Sequence, residues 1–152
     1  MRVVKGITIG AVILLNGCTQ TSTQKFEYAD VSVNGHTLSL AVANSAAERQ
    51  QGLSNLEVPP RDGMLFVFDQ TDSWGIWMKE MRFAIDIVWL RDGRVVQVAN
   101  EAMPQAGMPD SQLTVYRPDG TADIVIELAS GRADQLGIIE GVQVEFETVL
   151  TE

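Results

Sequence analysis

Residues Gly63–Leu90, GMLFVFDQTDSWGIWMKEMRFAIDIVWL, contain all three tryptophans of the chain (Trp74, Trp77, Trp89), three of its five phenylalanines, and Met64, Met78 and Met81. Within them, Met64–Phe68 and Phe83–Leu90 are short apolar runs rich in β-branched and aromatic residues, which fits buried strands. No other stretch offers as much apolar area, so a core has to form here. Trp77-Met78-Lys79 lies between the two runs, and a single carboxylate, Asp86, interrupts the second. Alternation along that run sets Ala84, Asp86, Val88 and Leu90 on one face and Phe83, Ile85, Ile87 and Trp89 on the other. Both faces are apolar, so Asp86 loses water and needs a partner.

Upstream, Phe26–Val33 and His36–Ala43 flank Asn34-Gly35, a strong hairpin signal. Ser45-Ala-Ala-Glu48 has the spacing of a capping box and predicts a short helix over about Ala46–Gln51, stopped by Gly52. Leu53–Asp62, with Pro59-Pro60, reads as a loop. A short strand is expected around Gly75–Lys79, between the two apolar runs. Downstream, Asp92-Gly93 turns the chain into a strand at Arg94–Ala99. Asn100–Gln112 has two prolines and no periodicity, a long loop of the kind that often bears function. Strands follow at Leu113–Arg117, Ile124–Leu128 and through Val142, Val144 and Phe146, with one helical turn within Ser130–Leu136. Roughly eight or nine short strands and one or two short helices argue for an all-β sandwich or partly open barrel.

The first residues read as an address rather than as part of the fold. Arg2 and Lys5 precede an apolar run, Ile7–Leu15, that is too short to span a bilayer comfortably. Leu15-Asn16-Gly17-Cys18 then resembles a bacterial lipoprotein signal: residues 1–17 are cleaved and the Cys18 sulfur is lipidated. Cys18 is the only cysteine, and a lone thiol elsewhere in an oxidising compartment would be unusual. Thr19 rather than Asp after the cysteine resembles outer-membrane sorting, with the domain facing the periplasm. Residues 18–25 form a polar tether and 26–152 a single domain. Cleavage removes two basic residues and leaves nine against 20 acidic ones. So acidic a surface repels nucleic acid and anionic headgroups, and no nucleic-acid partner is expected.

Several motifs together resemble the DUF192 family of bacterial and archaeal proteins. They are Arg49-x-x-Gly52-Leu53, Gly63-Met64-Leu65-Phe66-Val67-Phe68, Trp77-Met78-Lys79, Ile85-Asp86-Ile87 with the Asp92-Gly93 turn, and Glu127-Leu128 with Gly131. Ala84 stands where many members have proline, and Glu80-Met81 where they have Asn-Thr. The resemblance implies a small all-β fold similar to a jelly-roll sandwich, and no particular activity. It also raises Glu127 from an ordinary solvent-facing strand residue to a site candidate.

For Asp86 the residues leave two readings open: a carboxylate paired with a cation, Arg49 first and Lys79 second, or a functional group. Lys79 is expected on the strand face of Trp77 and Met81, either snorkelling or facing a ligand. The preferred function is a lipid-anchored, non-catalytic module that binds an envelope saccharide, peptide or protein. Its ligand site would comprise Trp74, Trp77, Lys79, Asp86 and Glu127 beside the Asn100–Gln112 loop. The alternative is an envelope hydrolase using Asp86 and Glu127 as a carboxylate pair. A minor alternative is Cu(I) held by methionine thioethers, Met103 and Met108 with Met64, Met78 and Met81. No cofactor is expected, and no nucleophile, phosphate-loop or zinc motif is present.

Overall fold

The computed structural model describes residues 25–146. Cys18 and the leader lie outside the described residues. The chain runs β1 (Tyr28–Val33), β2 (His36–Ala43), α1 (Ala46–Gln51), β3 (Gly63–Asp72), β4 (Ile76–Trp77), β5 (Ile85–Arg91), β6 (Arg94–Ala102), β7 (Val115–Tyr116), β8 (Ala122–Ala129), α2 (Arg132–Gln135) and β9 (Val144–Phe146). The first hairpin turns at Asn34 (φ 48°) and Gly35 (φ 78°), and the β5–β6 hairpin at Asp92 (φ 50°) and Gly93 (φ 73°). Two consecutive positive φ values define the two-residue turn that matches strand twist, which is why Asn-Gly and Asp-Gly occupy it. In α1, the Glu48 amide donates to Ser45 Oγ at 3.2 Å while the Ser45 amide donates to Glu48 Oε2 at 2.9 Å. The expected capping box is therefore formed. These contacts hold the Glu48 carboxyl below the usual range.

Seven strands make one curled sheet in the order β6-β5-β8-β3-β2-β1-β9, and β4 and β7 pair separately. β2 and β3 are parallel, joined across α1, and the other pairs are antiparallel. The curl brings the two edges together at one end. The Val144 amide donates to the Gly93 carbonyl at 2.8 Å, and the Val95 amide to the Val142 carbonyl at 2.9 Å. Of the two architectures expected, the partly open barrel is the one formed: a half-barrel that is mostly β, with two short helices.

Both faces of this sheet are covered. Inside the curl, Leu40, Leu65, Val88, Leu90, Ile126 and Leu128 pack with Leu136 and Ile138, which follow α2. On the outer face, Met64, Phe66, Ile87, Trp89 and Val125 are covered by Ile76 of β4 and by Leu53, Met78 and Met81 from the loops. Burial on two sides explains why Ile85–Leu90 of β5 reads as an apolar run interrupted only by Asp86, since six of the strand's seven residues are buried. Gly63 marks the closest approach of β3 to β8: a Cβ there would fall 2.0 Å from the Glu127 carbonyl oxygen, and its φ is +144°. Only glycine fits, and it locks the backbone of Glu127 against β3.

Candidate functional site

Glu127 lies in β8, opposite Met64 of β3 on one side and Ile87 of β5 on the other. Its neighbours Ile126 and Leu128 point into the barrel, so strand alternation sends Glu127 to the outer face. There it is 4% exposed, at the base of a cleft of about 60 Å³ lined by Gln51, Leu53 and Ser54 at the end of α1 and by Ile76 and Trp77 of β4. Loss of solvent alone pushes its carboxyl up to about 8. The group therefore keeps its proton at neutral pH, because ionising it in an apolar wall without a counter-charge is costly.

Trp77 stands at the mouth, 40% exposed beside Val115, its partner across the β4–β7 pair. Lys79 Nζ sits 5.4 Å from the centre of the Trp77 ring and 2.6 Å from Asp110 Oδ2. The Asp110 hydrogen bond pushes the Lys79 ammonium up from its ordinary value. Lys79 was expected to share a strand face with Met81. Instead the strand ends at Trp77 and Glu80 takes a positive φ of 54°, so Met81 turns into the core while Lys79 stays out. Two open hollows continue from the cleft. One, of about 320 Å³, lies between α1 and Trp77–Lys79; the other, of about 350 Å³, lies between Lys79 and the loop through Gln105 and Met108. The loop expected at Asn100–Gln112 is shorter than its sequence suggested. β6 runs on to Ala102, and Asp110–Gln112 form a 3-10 turn.

Trp74 is not beside Trp77. It stacks on Phe68 at 4.1 Å, with 11° between the ring planes, and its indole donates to the Gln70 carbonyl. Its hollow adjoins the cleft through Arg49, which lines both. Trp89 Nε1 donates to the Trp74 carbonyl at 2.9 Å and anchors this loop to the core.

Asp86 is fully buried, but not with Arg49. Its carboxylate accepts from the Glu101 amide at 3.0 Å and from the Ala133 amide, at the start of α2, at 2.9 Å. Arg49 Nη1 donates to the Asn44 and Val67 carbonyls at 2.6 and 2.8 Å, with the guanidinium over the Phe68 ring. The expected ion pair is therefore absent: Asp86 points into the barrel, whereas Arg49 packs outside it. The same geometry separates Asp86 from Glu127. They occupy neighbouring strands in the pairing Asp86↔Leu128 and Ile87↔Glu127, so their side chains emerge on opposite faces. They do not form a hydrolase-like carboxylate pair. Met64, Met78 and Met81 pack in the outer-face core, while Met103 and Met108 are exposed. Among the described residues no group of three or more His, Cys, Asp or Glu side chains gathers to hold a metal.

The chain is thus a small half-barrel β domain with a buried carboxyl beneath an exposed tryptophan. The chain belongs to the DUF192 family, an uncharacterized ACR, whose profile matches residues 29–146. Among solved structures it is similar to a protein from Sinorhizobium meliloti 1021, provisionally described as a transcription regulator. The identity is 25% and the TM-score 0.71, covering 81% of this chain and 96% of that one. It is also similar to a protein of unknown function from Novosphingobium aromaticivorans DSM 12444, at 28% identity and a TM-score of 0.67, covering 83% and 89% respectively. No curated protein matches the sequence.

Proposed function

We propose that this protein is a lipoprotein of the cell envelope, anchored by lipid on Cys18 at the outer membrane and facing the periplasm. Its domain captures an envelope peptide or saccharide in the Trp77–Glu127 cleft without acting on it chemically. The observation behind this reading is a buried carboxyl, unpaired among the described residues, at the base of a cleft whose rim is an exposed tryptophan. A group so costly to bury is better explained by a ligand it contacts than by stability. The non-catalytic reading is supported by the position of Asp86 on the opposite face, which removes it as a second carboxylate for hydrolysis beside Glu127. The transcription-regulator description of the Sinorhizobium neighbour is not carried over, because 20 acidic against 11 basic residues give a net charge of −9, unfavourable towards phosphates.

Two outcomes test this. Cys18→Ser should leave the domain folded and move it from the membrane to the soluble fraction. Retention in the membrane, with no lipid on the purified protein, would end the anchor assignment. A panel of envelope peptides and saccharides should include one that quenches tryptophan fluorescence, and Trp77→Ala should abolish that quenching. A Trp77→Ala variant that still binds with unchanged affinity would move the site elsewhere.

A further inference from the structure

We infer that the Glu127 cleft receives a primary alkylammonium group, borne on an aliphatic stem that enters past Trp77. This assignment rests on the reading of the cleft as the ligand site and names the chemistry it selects. Three features point to a cation. Glu127 has nearly all of its surface buried, and burial is what raises its carboxyl, so among the described residues neither a cation nor a hydrogen-bond donor compensates it. An ammonium supplies both at once, whereas a neutral or anionic ligand leaves the carboxyl in its protonated form. The volume at the carboxyl, about 60 Å³, admits a head group and not a ring, so the body of a larger ligand lies in the adjoining hollow beside Trp77. Gln51 and Ser54 in the wall offer further oxygen acceptors for the ammonium hydrogens, while Leu53, Ile76 and Trp77 suit the stem. Finally, the Trp77 ring has the Lys79 ammonium 5.4 Å from its centre, itself held by Asp110 at 2.6 Å, so a cation can stand beside this indole.

Arg49 is the one other charged side chain in the lining, and it opposes a second cation. Its guanidinium is engaged by the Asn44 and Val67 carbonyls and by the Phe68 ring, which holds it at the neighbouring hollow. The exchange balances without a co-reactant. The Glu127 O–H bond breaks, the proton leaves to solvent, and the ligand keeps its three N–H bonds as it pairs with the carboxylate. A lysine side chain of a peptide and a free diamine share this chemistry.

The test is calorimetric titration of the purified protein with n-butylamine at pH 6, 7 and 8, in buffers of different ionisation enthalpy. Affinity should rise about ninefold from pH 6 to 7 and about fivefold from pH 7 to 8, with about 0.9 proton released per ligand at pH 7. Butan-1-ol, the neutral isostere, should bind at least about tenfold more weakly, and Glu127→Gln should lose both the amine preference and the pH dependence. Nα-acetyl-lysine amide binding more tightly than 1,5-diaminopentane would assign the peptide source, and the reverse order the free diamine. Equal binding of butanol and butylamine with no proton release would overturn the cation assignment while leaving the cleft a binding site. So would failure of every amine alongside Trp77-dependent quenching by an envelope peptide or saccharide. If no ligand of either kind responds, both readings fall. Should Glu127→Gln not fold, the wild-type pH series and the alcohol comparison still decide the question.

Discussion

Glu127→Gln is expected to stabilise the protein at alkaline pH, by about 3–5 kcal/mol at pH 9, and to change stability little at pH 4. In the folded protein burial pushes the Glu127 carboxyl up to about 8, from the ordinary value of 4.5. The unfolded chain releases this proton near the ordinary value and the folded chain only near 8. Between those limits the folded state binds more protons at this group, so its contribution to stability is greatest below pH 4.5 and declines as pH rises towards 8. The amide has nearly the same shape and cannot ionise, so the variant should lose this decline. Urea unfolding at pH 4, 7 and 9 measures it: the two midpoints should separate as pH rises. Parallel curves for parent and variant would mean that Glu127 ionises freely in the folded state. A wild-type residue that lowers stability at neutral pH fits retention for binding rather than for folding.

Asp86→Ala should have a comparable effect of opposite sign, a loss of about 3–5 kcal/mol at neutral pH. Two backbone amides, of Glu101 and Ala133, depend on this carboxylate. Glu101 has a φ of 54° within β6, an irregularity that turns its amide away from the ladder and towards Asp86. Removing the carboxylate leaves both amides without this acceptor beside the barrel core, at about 1–3 kcal/mol each. It also unties the start of α2, which covers that end of the barrel. A domain of this size has roughly 5–15 kcal/mol in total, so the melting temperature should fall by many degrees. Asp86→Asn, which keeps one oxygen acceptor, should lose less. Because Arg49 is not the partner, Arg49→Ala and Asp86→Ala should add, with coupling below about 0.5 kcal/mol. Strong coupling in a double-mutant cycle would restore the ion pair expected from the sequence.

These residues show what was legible beforehand. The Asn34-Gly35 and Asp92-Gly93 turns and the Ser45–Glu48 cap are local chemistry, and each was found where its signature stood. Apolar alternation also assigned the two faces of β5, with Asp86 and Trp89 on opposite sides. Alternation within one strand is silent on which strand lies next to it. β8 inserts between β3 and β5 although β4 to β7 intervene in the chain. Only that placement reveals that Glu127 faces away from Asp86 and lies beneath Trp77. Arg49 was misassigned for a related reason. An arginine near a buried carboxylate in a list of motifs looks like its partner, yet this one is taken by carbonyls within reach of its own helix. The polar end of β3, Asp69–Asp72, lies beyond the run expected at Met64–Phe68, because an exposed strand end has no apolar pattern to signal it. Asp110, the partner of Lys79, had no sequence signal at all.

Glu127 is expected to sit protonated beneath Trp77 in the proposed ligand cleft, unpaired among the described residues. Its most direct test is an NMR titration of the Glu127 side-chain carboxyl carbon in the folded, unliganded protein. The expected midpoint is near 8. A midpoint in the ordinary carboxylate range, near 4.5, would contradict this, since Glu127 would then be solvated or already paired and the cleft would have no special affinity to offer.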